Sequence, residues 1–578
     1  MNDLFGRPAC YFVYLVQITL VLCLLPYGSA QAQTQAEIEK ANRAAEQIQR
    51  EQQERLQQQL LKDKQRGKET PPQEPPEVKP PALPKGGACR EIREIVLTGV
   101  TLLSQEVTQE LVVPYQGKCL YAEDIEKLLA DLLKAYIDRG YIAVRPYVQA
   151  QDLNNGRLEL LIVEGKVGAV NLKDDGKQSV NLTTAFPFVK GSPLNLRDIE
   201  QGLDQINRLA SNSATMEVSP GTEPGESIVN ITNTQAFPVS ASIAYNNLGS
   251  QSTGENQGSA TVSIDNPLRL NDFFTYTRSQ TLFEPDQTRD SSSNSFFYSL
   301  PMGYWTMQLS YSFSDYSTPV TTSAATLVSR GDSENLRTEL NWVAYRDQDQ
   351  KLTTLMAISR KESKNYLADE LLSVSSRTLT ILDLDVNWNR RFSGLTANLG
   401  LGWGKGLDWF NALEDPDGID EAAPHAQGSK FRYSGGVQVP FTLLSQEFSF
   451  SSQLTGQYAL EPLFGSEQIT VGSFYSVRGF NQNSLSGDRG LFVRNELSTA
   501  LPKLPFLEVT PRPFLGLDAG HIEGYKDSGS ADFTGAAVGV RFAGRHLSAE
   551  LSVAKSLSVP NAIERESTQY AATLTASF

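Results

Sequence analysis

Two short segments, far apart in the chain, carry residues whose types could form a specific polar contact. Gly472–Gly490 reads GSFYSVRGFNQNSLSGDRG and holds Arg478 between small, flexible and aromatic residues. Gly516–Gly520 reads GLDAG and holds Asp518 between glycines. An Arg guanidinium can bind a carboxylate through two parallel hydrogen bonds, and glycines let two backbones approach closely. The residues fit a buried Arg478–Asp518 pair, and they equally fit a solvent-exposed loop arginine with Asp518 capping a turn.

Residues typical of catalytic centres are few in this sequence. Its three histidines are His425, His521 and His546, and His521 lies three residues from Asp518. No serine in a nucleophile context and no Glu-His metal spacing accompanies them. The chain also lacks a glycine-rich lysine motif that cradles phosphate. We therefore predict a protein that is not an enzyme and needs no cofactor or metal.

The composition restricts the class of protein. The chain has 578 residues, a formal net charge of -15 and 40% hydrophobic residues. This length predicts more than one domain, and the acidity argues against nucleic acid as a partner. After the N-terminus no run approaches the ~20 apolar residues of a membrane-spanning helix. Barrel strands would leave no such run, because their apolar residues alternate with polar ones.

The N-terminal region divides into three segments before the first predicted domain. Residues 1–32 read as a secretory signal, with an apolar stretch and small residues for cleavage at Ala30–Ala32; an uncleaved anchor helix is the alternative. Residues 33–68 predict a helix that is polar almost all round, which requires solvent or a wet cavity around it. Residues 69–87 are proline-rich and predict a stiff, extended linker.

Two cysteines follow these segments. Cys89 and Cys119 form a single pair in a chain that the signal marks as exported, which predicts a disulfide. Two free buried thiols are the alternative.

Two small βααββ modules are predicted next, at residues 88–165 and 166–236. In the first, Ala122–Asp138 has the apolar periodicity of an amphipathic helix. Pro146 lies in the middle strand and marks it as an edge strand, because proline cannot donate to a sheet ladder. Leu196–Leu209 predicts the corresponding helix of the second module.

Residues 237–578 predict a transmembrane β-barrel of sixteen antiparallel strands. Leu382–Asn389 shows the pattern, since Leu, Leu, Val and Trp alternate with Asp, Asp, Asn and Asn. A soluble sandwich shows the same alternation, but the long unbroken series of such strands, even in number, favours a barrel. The boundaries are least certain between residues 316 and 334. The last segment also alternates, and its terminal Phe578 resembles the assembly signal of outer-membrane barrels.

Several motifs, in order, identify a family resemblance. Val477-Arg478-Gly479-Phe480 matches a VRG(F/Y) motif, and Gly516–Gly520 matches an (F/G)xDxG motif. Gly140–Lys166 and Leu194–Leu209 are similar to segments of two POTRA modules. The chain therefore resembles two-partner secretion transporters of the TpsB family (ShlB/FhaC/HecB, hemolysin secretion and activation), within the BamA-like barrel superfamily.

This resemblance implies roles for particular residues. Val477, Arg478, Gly479 and Phe480 would anchor a long loop folded back into the barrel, and Gly516, Asp518 and Gly520 would form its partner on the inner wall. Residues 33–68 would be a plug helix in the lumen. The first module would receive an unfolded client along an exposed edge, by adding a strand to its sheet. That edge would run from Ile142 to Val148, and Arg145 and Tyr147 would supply specificity there.

The resemblance also implies a cellular role. The protein would be a monomer in the outer membrane, surrounded by lipids and lipopolysaccharide, with its POTRA modules in the periplasm. The barrel assembly machinery would insert it during biogenesis. It would bind a large secreted β-helical exoprotein of the TpsA type and translocate it, with activation of a hemolysin or adhesin as a further role. A BamA-like insertase and a diffusion porin are the alternative functions.

Overall fold

The computed structural model describes residues 27–64, 88–283, 288–321, 325–505, 508–524 and 529–578. Helix α1 spans Tyr27–Lys64 and is rich in Ala, Gln and Glu, which are good helix formers. It begins upstream of the predicted start at residue 33 and is described to Lys64. Most of the predicted signal segment and all of the predicted linker lie outside the described residues. Among those residues, no helix is long and apolar enough to cross a membrane.

The first module contains β1 (Arg90–Ile92), β2 (Glu94–Thr98), α2 (Gln105–Val112), β3 (Lys118–Leu120), α3 (Ala122–Asp138), β4 (Arg145–Val148) and β5 (Arg157–Val163). Its sheet has the order β2-β5-β4, so β4 is an edge strand as Pro146 predicted. Leu128, Leu129 and Leu132 of α3 are fully buried. Strand β3 was not predicted because three residues give no periodicity. It pairs with β1, and the Cys89–Cys119 disulfide joins the chain at this pair.

The second module contains β6 (Lys166–Lys173), α4 (Leu182–Ala185), α5 (Leu196–Asn207), β7 (Asn212–Pro220) and β8 (Glu226–Gln235). Its sheet has the order β6-β8-β7, with β6 parallel to β8. The two modules are closely joined. The backbone N–H of Leu196 donates to the carbonyl of Gly140 at 2.8 Å, and Ile142 of the first module packs into the core of the second.

Sixteen long strands of the described chain close into one antiparallel barrel, as predicted. They are β9 (Val239–Asn246), β10 (Gln257–Asp265), β11 (Phe273–Thr281), β12 (Asp290–Met302), β13 (Trp305–Thr321), β14 (Thr326–Arg346), β15 (Gln350–Leu367), β17 (Arg377–Phe392), β18 (Leu395–Leu407), β19 (Ser429–Leu443), β20 (Gln446–Ala459), β23 (Arg489–Thr499), β24 (Thr510–Glu523), β25 (Ser530–Ala543), β26 (Leu547–Ser558) and β27 (Gln569–Ser577). Short strands β16 (Glu370–Leu371), β21 (Ile469–Val471) and β22 (Leu485–Gly487) belong to connecting segments. The described residues of the region 316–334 extend two barrel strands, because Tyr316–Thr321 of β13 pairs with Thr326–Gly331 of β14.

Side chains of the barrel alternate between two environments. In β17, Asp383 is 3% exposed and points into the lumen, whereas Leu384 is 42% exposed and points outward. This is the arrangement expected of a wall with lipid outside and a polar interior. The alternation that predicted the strands therefore also predicted which side chains line the lumen.

The second module packs against short turns at one end of the barrel. Gln205 of α5 donates from Nε2 to the carbonyl of Gly303 at 2.8 Å, and Arg208 donates from Nη2 to the carbonyl of Asn271 at 2.8 Å. Arg346, at the end of β14, forms an ion pair with Asp204 of α5. The turns that contain Asn271 and Gly303, and the turn that follows Arg346, therefore lie on the side of the modules.

Candidate functional site

The segment Leu460–Asp488, which joins β20 to β23, folds into the barrel; we call it the inner loop. Its short strands β21 and β22 pair with each other, and β21 packs against β23 and β24 of the wall. Val477 and Phe480 are buried, at 0% and 1% exposure. They pack with Phe533 of β25 in one apolar cluster. The loop is therefore a packed internal element, and its apolar residues hold it to one side of the barrel.

Arg478 and Asp518 are brought together as the motifs predicted. Nε of Arg478 donates to Oδ2 of Asp518 and Nη2 donates to Oδ1, both at 2.7 Å. The backbone N–H of Arg478 also donates to Oδ2 at 3.0 Å. Their side chains are 1% and 0% exposed. The carboxylate thus accepts three hydrogen bonds from a single residue of the inner loop, which fixes both its side chain and its backbone.

A second carboxylate, which the sequence analysis did not predict, completes the surroundings of Arg478. Nη1 of Arg478 donates to Oε2 of Glu496 at 3.0 Å. Glu496 also accepts from Nη2 of Arg541 at 2.9 Å, so it bridges two arginines. Phe514 lies between them, with the guanidinium carbons 5.7 Å and 4.2 Å from its ring centroid. The alternation of β23 marks Glu496 as lumen-facing, but its partners depend on pairings that the sequence does not show.

Glycines leave the room that this contact needs. A Cβ on Gly516 would lie 2.2 Å from Nη2 of Arg478, and one on Gly520 would lie 2.5 Å from Val471. Gly479 has a φ of +100°, which L side chains rarely adopt. Gly535 of β25 was not predicted, and a Cβ there would lie 1.8 Å from the carbonyl oxygen of Arg478. Three wall glycines therefore allow the inner loop to approach the strands directly.

Helix α1 lies inside the barrel and contacts several sides of its wall. Lys64 forms an ion pair with Glu339 of β14 at 2.7 Å, and Glu46 forms one with Arg377 of β17 at 3.1 Å. Leu60 packs in an apolar cluster formed by Leu209, Phe273 and Phe297. The space beside the helix is lined largely by hydroxyl side chains, among them Ser259, Ser279, Ser293, Ser312, Ser314 and Ser333. A polar wall explains how a helix without a broad apolar face fits this position.

Helix α1 also contacts the inner loop. Oγ of Ser473 donates to Oε1 of Glu54 at 2.7 Å, and Nε2 of Gln47 donates to the carbonyl of Gln482 at 3.4 Å. The helix and the loop therefore fill the lumen as neighbours.

The predicted client-binding edge is only partly accessible. Tyr147 of β4 is 47% exposed and lies on the free edge of the sheet. Arg145 turns back and donates from Nη1 to the carbonyl of Val144 at 2.8 Å. Ile142 is 7% exposed and packs in the core of the second module, so its assignment to an exposed edge is wrong. The residue precedes β4, where the chain runs along the boundary between the modules.

Glu164 organises the region where the first module ends. Its Oε1 accepts from the backbone N–H groups of Thr101 and Leu102 at 2.8 Å and 2.9 Å and from the hydroxyl of Tyr136 at 2.8 Å. Burial raises the pKa of Glu164, but the hydrogen bond from the Thr101 hydroxyl to Oε2, together with these bonds, favours the charged form and holds the pKa below its ordinary value. Burial and the bond to Glu164 raise the pKa of Tyr136.

The remaining predicted residues are placed as follows. Phe578 is 74% exposed, and its backbone N–H donates to the carbonyl of Ala241 at 2.8 Å where the barrel closes. His521 pairs with Asp532 at 2.7 Å, and its side chain is 42% exposed. Within the described ranges, no group of three or more His, Cys, Asp or Glu side chains is placed to hold a metal ion.

Comparisons with known proteins match nearly the whole described architecture. The model of the family "Haemolysin secretion/activation protein ShlB/FhaC/HecB" matches residues 225–542. A ShlB-type POTRA domain model matches residues 91–165, and a second POTRA model matches residues 166–220. The outer membrane transporter CdiB of Dickeya dadantii (strain 3937) is 36% identical over 480 residues, covering 82% of this chain and 84% of that protein.

A hemolysin transporter and a solved structure extend this similarity. The hemolysin transporter protein ShlB of Serratia marcescens is 30% identical over 483 residues, covering 83% of this chain and 84% of that protein. The structure of CdiB from Escherichia coli superposes with a TM-score of 0.82 at 30% identity, covering 92% of this chain and 98% of that chain. The match therefore includes the modules and the barrel together.

Proposed function

Because this chain belongs to the ShlB/FhaC/HecB family of haemolysin secretion/activation proteins and is thus an outer-membrane transporter of two-partner secretion, we propose that it passes one unfolded exoprotein through its barrel lumen. In the resting state, helix α1 closes that lumen. The exoprotein is a large, secreted, β-helical protein of the TpsA type. The two POTRA modules receive it in the periplasm.

The position of α1 carries this proposal. The helix occupies the lumen, and its apolar contacts are confined to small clusters at Ile48 and Leu60. Its other partners are polar: Glu339 binds Lys64 and Arg377 binds Glu46. Each ion pair keeps one partly exposed side chain, Lys64 at 32% and Glu46 at 33%, and solvent competes for such a charge, which lowers the net contribution of the pair. A helix held this way can leave when the exoprotein supplies replacement contacts, whereas a helix held by a large apolar interface could not.

The inner loop is the fixed element in this proposal. Arg478, Asp518 and Glu496 bind it to the wall through buried, charge-assisted hydrogen bonds. The loop then leaves a defined space for the exoprotein once α1 has moved. Val477, Gly479 and Phe480 support this anchor through packing and close approach.

The first module receives the exoprotein at the edge of β4. Edge strands expose unpaired backbone groups to which an extended peptide can add a strand. Tyr147 is the exposed side chain that would select the client, and Arg145 fixes the backbone before the strand. Lipids and lipopolysaccharide surround the barrel. The barrel assembly machinery inserts it into the membrane and recognises Phe578 as part of the assembly signal. The transporter acts as a monomer.

One experiment tests the plug directly. Deletion of residues 33–64 should raise the conductance of the purified protein in planar bilayers, because the lumen would lose its largest occupant. The matched control is Lys64→Gln, which removes one ion pair and keeps the helix. An unchanged conductance after the deletion would show that α1 does not close the barrel.

The alternative of a BamA-like insertase is distinguished by phenotype. A deletion strain of a dedicated transporter should lose secretion of one exoprotein while other outer-membrane proteins assemble normally. A general defect in barrel assembly would favour the insertase, and an intact secretome with reduced solute uptake would favour a diffusion porin.

A further inference from the structure

The tip of the inner loop, Asn481–Asn483, lies between two connecting segments at the end of the barrel remote from the modules. One segment joins β26 to β27 and contains Glu566, and the other joins β9 to β10 and contains Gly249 and Gln251. These segments flank the seam at which the last strand, β27, pairs with the first, β9. The tip is therefore placed to contact both sides of the barrel closure from within.

Glu566 binds the tip through its backbone. Its Oε1 accepts from the N–H groups of Gln482 and Asn483 at 3.0 Å and 2.7 Å. The N–H of Asn481 donates to Oε2 at 3.0 Å. Three successive backbone N–H groups that converge on an anion form a nest, an arrangement that binds carboxylates well. The charge of Glu566 therefore fixes the conformation of the tip as well as its position.

The opposite face of the tip binds the other segment. Oε1 of Gln482 accepts from the backbone N–H of Gln251 at 2.8 Å. Nδ2 of Asn481 donates to the carbonyl of Gly249 at 3.4 Å. The same three tip residues therefore connect the segment that precedes β27 to the segment that follows β9.

The seam that these contacts span is short. Pairing between β27 and β9 covers Thr573–Ser577 against Ser242–Asn246. The neighbouring pairs are longer, since β9 meets β10 over Val239–Asn246 and β26 meets β27 over Leu547–Ala554. Backbone hydrogen bonds between Asn247 and Ala572 and between Phe578 and Ala241 extend the seam by one residue at each end, and the Asn247 side chain adds two bonds to β27. The seam is still shorter than its neighbours, so contacts outside the ladder contribute more to its stability.

We infer that the inner-loop tip is a latch that holds the outer end of the β9–β27 seam closed, with Glu566 as its positioning residue. Gln482 completes the latch on the side of β9. The inference rests on the proposed function, in which the resting transporter is closed. It deepens that function by naming the inner-loop tip as the element that keeps the seam closed. Gln47 of α1 donates to the carbonyl of Gln482, so departure of the helix would remove one contact from the latch.

Hydrogen exchange of the purified, full-length protein in detergent micelles tests this inference without any exoprotein. Its failure is therefore distinguishable from a failure of the proposed secretion function. The variants are Glu566→Ala and Glu566→Gln, since glutamine keeps an acceptor oxygen but loses the charge. The matched control is Glu564→Ala, because Glu564 lies in the same segment with an exposed side chain and contributes its backbone carbonyl to Asn483.

We expect Glu566→Ala to speed exchange at Asn481–Asn483 by about tenfold, the effect of losing hydrogen bonds to a charged acceptor. Exchange at the seam amides of β27 should rise by about threefold or more, while amides of the β24–β25 pair remain unchanged. Glu566→Gln should give a smaller rise at both places, and Glu564→Ala should give none.

Two results would overturn the latch. Faster exchange at the tip with an unchanged seam would show that the tip does not hold the closure. Unchanged exchange at both would show that Glu566 does not position the tip. If Glu566→Ala does not reach the folded barrel, as judged by heat-modifiable migration in gels, Gln482→Ala replaces it. This variant removes the contact to Gln251 and must speed exchange at the seam for the inference to stand.

Discussion

Arg478 and Asp518 form a two-point ion pair that is enclosed on all sides, with Nε–Oδ2 and Nη2–Oδ1 distances of 2.7 Å. One residue belongs to a loop and the other to the barrel wall, so the pair determines where the loop lies. The wall contributes Glu496 as a second acceptor. Wall carboxylates thus neutralise the charge of Arg478. The planar guanidinium group can donate to both carboxylates at once, which a lysine ammonium group could not do with the same geometry.

Removing either member of this pair should release the inner loop. Arg478→Ala and Asp518→Ala should each reduce secretion strongly while the barrel still inserts, because a buried charge left without its partner costs about 3–5 kcal/mol. The double variant should be less damaged than the sum of the two, since it leaves no unpaired charge between them. Secretion assays with heat-modifiability as the folding control measure this, and full secretion by Arg478→Ala would refute the anchor.

A methyl group at Gly535 should displace the inner loop without removing any charge. Gly535→Ala would place a Cβ 1.8 Å from the carbonyl oxygen of Arg478, whereas the Cβ of Gly435→Ala would find its nearest atom at 3.9 Å. We expect lower secretion and greater protease sensitivity of the inner loop in the first variant, and behaviour like the parent protein in the second. Equal behaviour of the two would mean that close approach at Gly535 is not needed.

Tyr147 should contribute to client binding at the first module. Tyr147→Ala should weaken binding of the exoprotein's N-terminal region to the transporter, since it removes an exposed aromatic side chain beside the free strand edge. Tyr121→Ala is the control, because Tyr121 is also exposed, at 55%, and is the N-cap residue of α3 rather than part of the edge strand. Binding measured by titration calorimetry should fall for the first variant alone; equal losses would place the contact elsewhere.

Glu164 should make the free energy of unfolding of the first module depend on pH. Its folded-state pKa is lowered, so its stabilisation is present above the unfolded value of about 4.3 and is lost as pH falls through the folded pKa. Glu164→Gln should therefore destabilise the module at pH 7 by about 1 kcal/mol, and the difference should shrink at lower pH. Pulse proteolysis of the first module in the full-length protein measures this, and a difference independent of pH would contradict it.

Local patterns in the sequence predicted most of the fold. The alternation in Leu382–Asn389 shows both the strand and its lumen face, because side chains in a strand point to opposite sides in turn. The same reasoning gave the strand count, and Pro146 predicted the edge position of β4. The motifs around Arg478 and Asp518 predicted the pair itself, because a family resemblance links two segments that are distant in sequence.

What the sequence did not predict depends on contacts between separate elements. Glu496 and Gly535 lie on strands whose pairing partners are visible only in the closed barrel. Ile142 is apolar and precedes a strand, and nothing local indicates that it packs in the next module. The latch at Glu566 was also unpredictable, since its acceptor role depends on backbone N–H groups, which every non-proline residue carries.

The central claim is that the exoprotein passes through the lumen after α1 has left it, and tethering the helix tests this most directly. Asn42 of α1 accepts from Oγ of Ser375 at 2.9 Å, near the end of the barrel remote from the modules. Cysteines at these two positions, joined by a short, cleavable bismaleimide, should stop secretion, and cleavage of the reagent should restore it. Each single-cysteine variant, treated in the same way, should secrete normally. Undiminished secretion with the helix tethered would show that the exoprotein does not need the space that α1 occupies.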